Sequence, residues 1–101
     1  MLMAQHALDP VHPGEILREE FAGPLALDAS RIAGAAGLER GEVERLLREE
    51  VGINAEAALR LGKTLGTTAQ FWMNLQSRYE LDKAGAALRD ALQRITPLNA
   101  T

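Results

Sequence analysis

Capping side chains and glycines recur at helix-length intervals along this chain, and that punctuation constrains its fold more than any other feature. "HPGEILREEF" sets Pro13 at a first helical position and Glu15 in the first turn, with His12 as the cap. Helix 1 is predicted from about Pro13 to Phe21, carrying Ile16, Leu17 and Phe21 on one stripe, and "AGPL" ends it. "LDASRIAGAAG" opens on Asp28, turns Ile32, Ala33 and Ala36 inward, and closes on Gly37, which makes helix 2. From Glu39 to about Arg48, Val43, Leu46 and Leu47 recur at i, i+3 and i+4, which makes helix 3. "NAEAALRLGKTLG" runs from Asn54 as a cap to Gly66, with Ala57, Ala58, Leu61 and Leu65 inside, and is helix 4.

After Thr67 or Thr68 as a cap, the chain can stay helical to Ile95, with Gly85 as the weak point before Pro97. One long helix, or two joined near Gly85, is expected. No run alternates as a strand would, so the fold class is all-α: a five-helix domain with a C-terminal helical extension. A chain of 101 residues that is 47% hydrophobic closes one modest core. The expected layout is a flexible arm over 1–11, a domain over 12–82, and an amphipathic helix and tail over 83–101. Without cysteine, neither disulfides nor thiolate sites are available, and His6 and His12 alone make no metal cage. No metal or cofactor is expected. No apolar run spans a bilayer and no signal peptide opens the chain, so a cytoplasmic protein without membrane contact is expected.

Helices 2 and 3, joined at Gly37, have the spacing of a helix-turn-helix, whose second member enters the DNA major groove. That spacing alone is a weak signal, and charge argues against it. The net charge is −3, residues 1–60 hold eleven acids against six bases, and five of the twelve residues from Glu39 to Glu50 are glutamates. Geometry refines this. With Val43, Leu46 and Leu47 inward, the outer face of helix 3 centres on Gly41, Arg45 and Arg48, and glutamates flank it. Within the helix, Glu44 can pair with Arg48, and Glu42 and Glu49 with Arg45, at only about 0.2–0.5 kcal/mol per pair. Phosphate or guanine can compete at that level. The candidate DNA-contacting residues are Ser30, Arg31, Arg40, Gly41, Glu44, Arg45 and Arg48.

At "HPGEIL", at "ALRLGKTLGTTAQFWMNLQ" and across the helix 2 and 3 framework, the sequence resembles the HigA (VapI) antitoxins, a branch of the phage-repressor-like helix-turn-helix proteins. The resemblance covers roughly residues 12–82, and "FWMNLQSRYEL" is its most distinctive run. Gly37, Leu38, Ala33, Val43, Leu46, Gly52, Ile53, Ala58, Leu59 and Leu61 match the family pattern. Ala29 departs from it, where a polar residue usually follows the helix 2 cap. So do Arg40, Gly41 and Glu42 at the start of helix 3, and Arg48, Glu49 and Glu50 in place of an Asn-Gly-Lys-type turn. The resemblance implies a repressor-like domain that dimerises, binds a palindromic operator, represses its own operon and neutralises a HigB/RelE-like toxin that cleaves mRNA.

Phe71, Trp72, Leu75 and Tyr79 form a helical stripe. Phe71 and Leu75 suit the core, whereas Trp72 and Tyr79, with polar handles, suit an interface. Leu88, Leu92 and Ile95 line one face beyond the main domain and suit a partner subunit. Glu15, Glu19 and Glu20 suit a basic partner such as the toxin, and they make no active site without a pocket, nucleophile or metal. No enzyme is expected. Two rival readings stay open: an interaction module of the same fold that has lost DNA binding, and a stand-alone transcriptional regulator.

Overall fold

The caps read from the sequence are the ones that start the helices. The structure, a computed structural model, describes residues 9–99. Residues 1–8, which hold most of the expected arm together with His6, lie outside it. α1 covers Pro13–Ile16, and His12 Nδ1 accepts the Gly14 amide at 2.8 Å. α2 covers Ala29–Ala36, with Asp28 Oδ1 accepting the Arg31 amide at 2.8 Å. α3 covers Arg40–Leu47. α4 covers Ala55–Leu65 and starts where Asn54 Oδ1 accepts the Ala57 amide at 2.8 Å. α5 covers Ala69–Ala87, with Thr68 Oγ1 accepting from Phe71 at 3.0 Å, and α6 covers Arg89–Gln93. Gly37 and Gly66 close α2 and α4 at φ 73° and 75°, a left-handed geometry that glycine adopts without a Cβ penalty.

Every regular element among the described residues is helical, as expected. Two boundaries differ. Helix 1 does not end at Phe21 as an α-helix but widens into a π-helical stretch over Leu17–Ala22, closed by the Gly23 amide donating to Arg18 O at 2.9 Å. A π turn places i and i+5 on one face, so Leu17 and Ala22 are both buried while Phe21 sits at the edge. In the long C-terminal segment Gly85 stays within α5, and the last turn closes where the Leu88 amide donates to Ala84 O at 2.8 Å. The helix breaks three residues later, at Leu88 (φ −100°, ψ 10°).

The core gathers Leu17, Ile32, Val43, Leu46, Ile53, Ala57, Ala58, Leu61 and Trp72. Small residues let the helices approach: Gly14 lies against the α3 backbone so closely that a Cβ there would collide with Leu46 O. Trp72 corrects an expectation. It is fully buried rather than at an interface, because its Nε1–H finds Thr67 Oγ1 at 2.7 Å inside the fold, so the indole gives up nothing polar on burial. Phe71, expected in the core, is instead the exposed ring, packed edge-on to Trp72 at 5.0 Å. Gln76, on α5, accepts the Ile53 amide at 2.7 Å and so pins the segment between α3 and α4. Arg60 Nη1 donates to Ala36 O at 3.2 Å and satisfies the end of α2. No helix among the described residues is long and apolar enough to cross a membrane.

Candidate nucleic-acid interface

α2 and α3 are joined at Gly37 and Leu38, whose amide donates back to Ala33 O at 3.0 Å. Val43 and Leu46 turn into the core, Leu47 is half-buried, and the opposite face of α3 opens to solvent. Arg40, Arg45 and Arg48 are exposed on it, and Gly41 and Glu44 are half-buried. Ser30 and Arg31 are exposed in the first turn of α2. Six of the seven sequence-predicted residues lie on this helix pair, and Arg48 is the residue that caps the end of α3.

The charge pairing differs from the one expected. Glu44 pairs with Arg40, at 2.9 Å, rather than with Arg48. Arg48 pairs with Glu50 at 3.1 Å. Glu49, expected to pair with Arg45, lies past the end of α3 at φ 63° and pairs with Arg18 at 3.0 Å. The cause is the helix end: α3 stops at Leu47, so residues 48–50 leave the helical register on which the i+4 pairs depended. Within α3 proper, two acids, Glu42 and Glu44, meet two bases, Arg40 and Arg45. Among the described residues Arg45 makes no ion pair. Its Nη1 lies across Gly41, 3.3 Å from where a Cβ would stand. Gly41 thus makes room for the arginine of its own helix.

Arg18 has no spacing signal, because its partners lie 29 and 31 residues away: Nη1 donates to Leu47 O at 2.6 Å and Nη2 to Glu49. The bond to Glu49 raises the arginine's pKa further. His12 is buried and its pKa is lowered, chiefly by that burial. Tyr79 is half-buried, its ring 4.7 Å from His12 and under the Lys83 ammonium at 5.2 Å. Leu88, Leu92 and Ile95 are exposed by 50%, 49% and 66%, an apolar row open to solvent. Glu19 and Glu20 are exposed and Glu15 is half-buried on helix 1, with Glu19 bound to Arg18 at 3.1 Å.

No family model matches the sequence. Virulence-associated protein I of Dichelobacter nodosus is 37% identical over 95 residues, 94% of this chain and 87% of that protein. The Pseudomonas aeruginosa antitoxin HigA, solved with the higBA promoter, superposes with a TM-score of 0.83 at 44% identity, over 88% of this chain and 98% of that one. A Pseudomonas aeruginosa protein in complex with its operator DNA superposes with a TM-score of 0.88 at 44% identity, over 92% and 99% of the two chains. With identities of this order over nearly the full length of each relative, the chain belongs to the HigA/VapI family of helix-turn-helix antitoxins.

Proposed function

We propose that this protein is an antitoxin that binds a palindromic operator as a dimer, represses its own operon and neutralises a HigB/RelE-like mRNA-cleaving toxin. The observation that carries the DNA reading is Arg45, exposed on the outer face of α3 and, among the described residues, without an ion pair. A guanidinium in that state is ready for phosphate or for the guanine edge, and a bidentate guanine contact contributes about 1–3 kcal/mol of discrimination. Ser30 and Arg31 supply phosphate donors beside it, and Arg40 and Arg48 are held only by exposed pairs, worth about 0–1 kcal/mol. The relatives solved with promoter and operator DNA support the same reading.

The rival reading, a module that has lost DNA binding, rests on Ala29 and on the five glutamates around helix 3. Three of them are neutralised by arginines, and Glu49 and Glu50 lie beyond the helix, which weakens it. Non-enzymatic action agrees with the family.

Leu88, Leu92 and Ile95 offer the apolar surface for a second copy, whereas Tyr79 is occupied against His12, and Glu15, Glu19 and Glu20 offer an acidic surface for a basic toxin. A gel shift with the DNA upstream of the gene tests the first part: a shift competed by the same duplex and not by a shuffled one is expected, and no shift even at low salt counts against it. Coexpression with a small basic protein encoded alongside tests the second. Relief of toxicity and copurification are expected; neither occurring would leave a stand-alone regulator.

A further inference from the structure

Arg18 joins three groups that no local pattern would bring together. Its Nε donates to Glu19 at 3.1 Å, its Nη1 to the carbonyl of Leu47 at the end of α3, and its Nη2 to Glu49 at 3.0 Å. Glu49 stands in the left-handed region, its amide donating to Leu46 O at 2.9 Å. In sequence it follows Arg48 directly and Arg45 by four residues. Its carboxylate is turned toward helix 1, where it also acts on His12 as the foremost charge favouring the protonated ring. A carboxylate freed from that position would stand uncompensated at the end of α3, available to either arginine and repelled by a polyanion.

We infer that Arg18 is a positioning residue for DNA binding: it neutralises Glu49 and holds it on the helix 1 side, which leaves Arg45 to the nucleic acid and keeps a second carboxylate off Arg48, already paired with Glu50. This rests on the DNA-binding reading above. A purely structural role, stapling helix 1 to Leu47 O, would make no use of Glu49's charge.

The experiment compares operator affinity, measured by fluorescence anisotropy between about 50 and 200 mM salt, for the full-length wild type, Arg18→Met, Arg18→Met with Glu49→Gln, and Arg18→Met with Glu20→Gln. Methionine keeps the packed stem, and circular dichroism establishes that each variant folds. Arg18→Met is expected to lose affinity by on the order of tenfold and to flatten the log–log salt slope by about 0.9, the signature of one phosphate contact. Adding Glu49→Gln should restore affinity to within about twofold of the wild type. Adding Glu20→Gln, which gives the same net charge, should not. The inference is overturned if folded Arg18→Met binds like the wild type, if Glu49→Gln fails to rescue, or if Glu20→Gln rescues equally. If Arg18→Met does not fold, Arg18→Gln enters the same three backgrounds, since its amide keeps a donor for Leu47 O without a charge for Glu49, and the same outcomes apply. A wild type that binds no operator removes the DNA reading itself and this inference with it, whereas a wild type that binds while the rescue fails removes only the role of Arg18.

Discussion

The two halves of α5 are one continuous helix in two different environments. Its first half carries Trp72, fully buried, and Gln76, bound to the Ile53 amide across to the segment before α4. Its second half and the segment that follows it to Ile95 carry Leu81, Leu88, Leu92 and Ile95, each at least 49% exposed. The backbone geometry is the same in both halves, so helix propensity does not distinguish them. What differs is that helix 1, α4 and the 51–53 segment cover the first half, whereas in the second half Tyr79 packs against His12 and the face bearing Leu81 stays open to solvent among the described residues. The exposed apolar residues of the distal half form the surface proposed above for a second copy, whereas those on the covered half hold the domain together.

Mutations at matched positions can break that contrast. Trp72→Ala should cost about 3–5 kcal/mol in urea unfolding, a large share of a small domain's stability; Leu92→Ala should stay within about 0.5 kcal/mol for the monomer. A comparable loss at both would mean that the distal half belongs to the core. Gly14→Ala drives a Cβ into Leu46 O, and a loss of about 1–3 kcal/mol or more is expected as helix 1 is pushed off α3. Gln76→Ala strands the Ile53 N–H and should cost about 1–3 kcal/mol, read from the midpoint of the same denaturation. Gly85→Ala, in the distal half, meets nothing within 4 Å and should stabilise by about 0.5–1 kcal/mol. A destabilised Gly85→Ala would reveal a neighbour packed closely there in solution.

The smallest effect is a pH dependence located at helix 1. Buried His12 accepts the Gly14 amide through neutral Nδ1, and its pKa lies below the 6.5 of the free side chain. Burial outweighs Glu49 and Glu15, which favour protonation, while Lys83 and Arg18 oppose it. The unfolded chain therefore binds the proton more readily, and stability is full above pH 6.5 and falls as the pH drops through the lowered folded value. His12→Asn keeps a cap acceptor and does not titrate, so its melting temperature should vary less between pH 7 and pH 5; an identical pH profile would place the dependence elsewhere.

Much of the fold was legible because capping chemistry is local. Asp28, Asn54 and Thr68 each bind an amide three residues on, and the apolar stripes of α2, α3 and α4 need only a period. What was not legible depended on distant partners. Trp72 and Phe71 are adjacent in one pattern, and only Thr67 Oγ1 and the packing of α4 decide which ring goes inside. The π turn is visible afterwards in the Leu17 to Ala22 spacing, which reads as noise against an α period. In the candidate interface, the exposure of Arg45 follows from its spacing against Val43 and Leu46, but the pairing of the charges does not, because α3 ends at Leu47 and Arg18 arrives from 31 residues away to take Glu49.

Whether α3 reads DNA through exposed Arg45 is tested most directly by comparing Arg45→Ala with the wild type on the chain's own operator and on a shuffled duplex. The expected result is a loss of about tenfold or more on the operator, with a smaller loss on the shuffled duplex, as removal of a base contact requires. Unchanged operator affinity in a folded Arg45→Ala variant would place recognition outside the exposed face of α3 and contradict the proposed function at its centre.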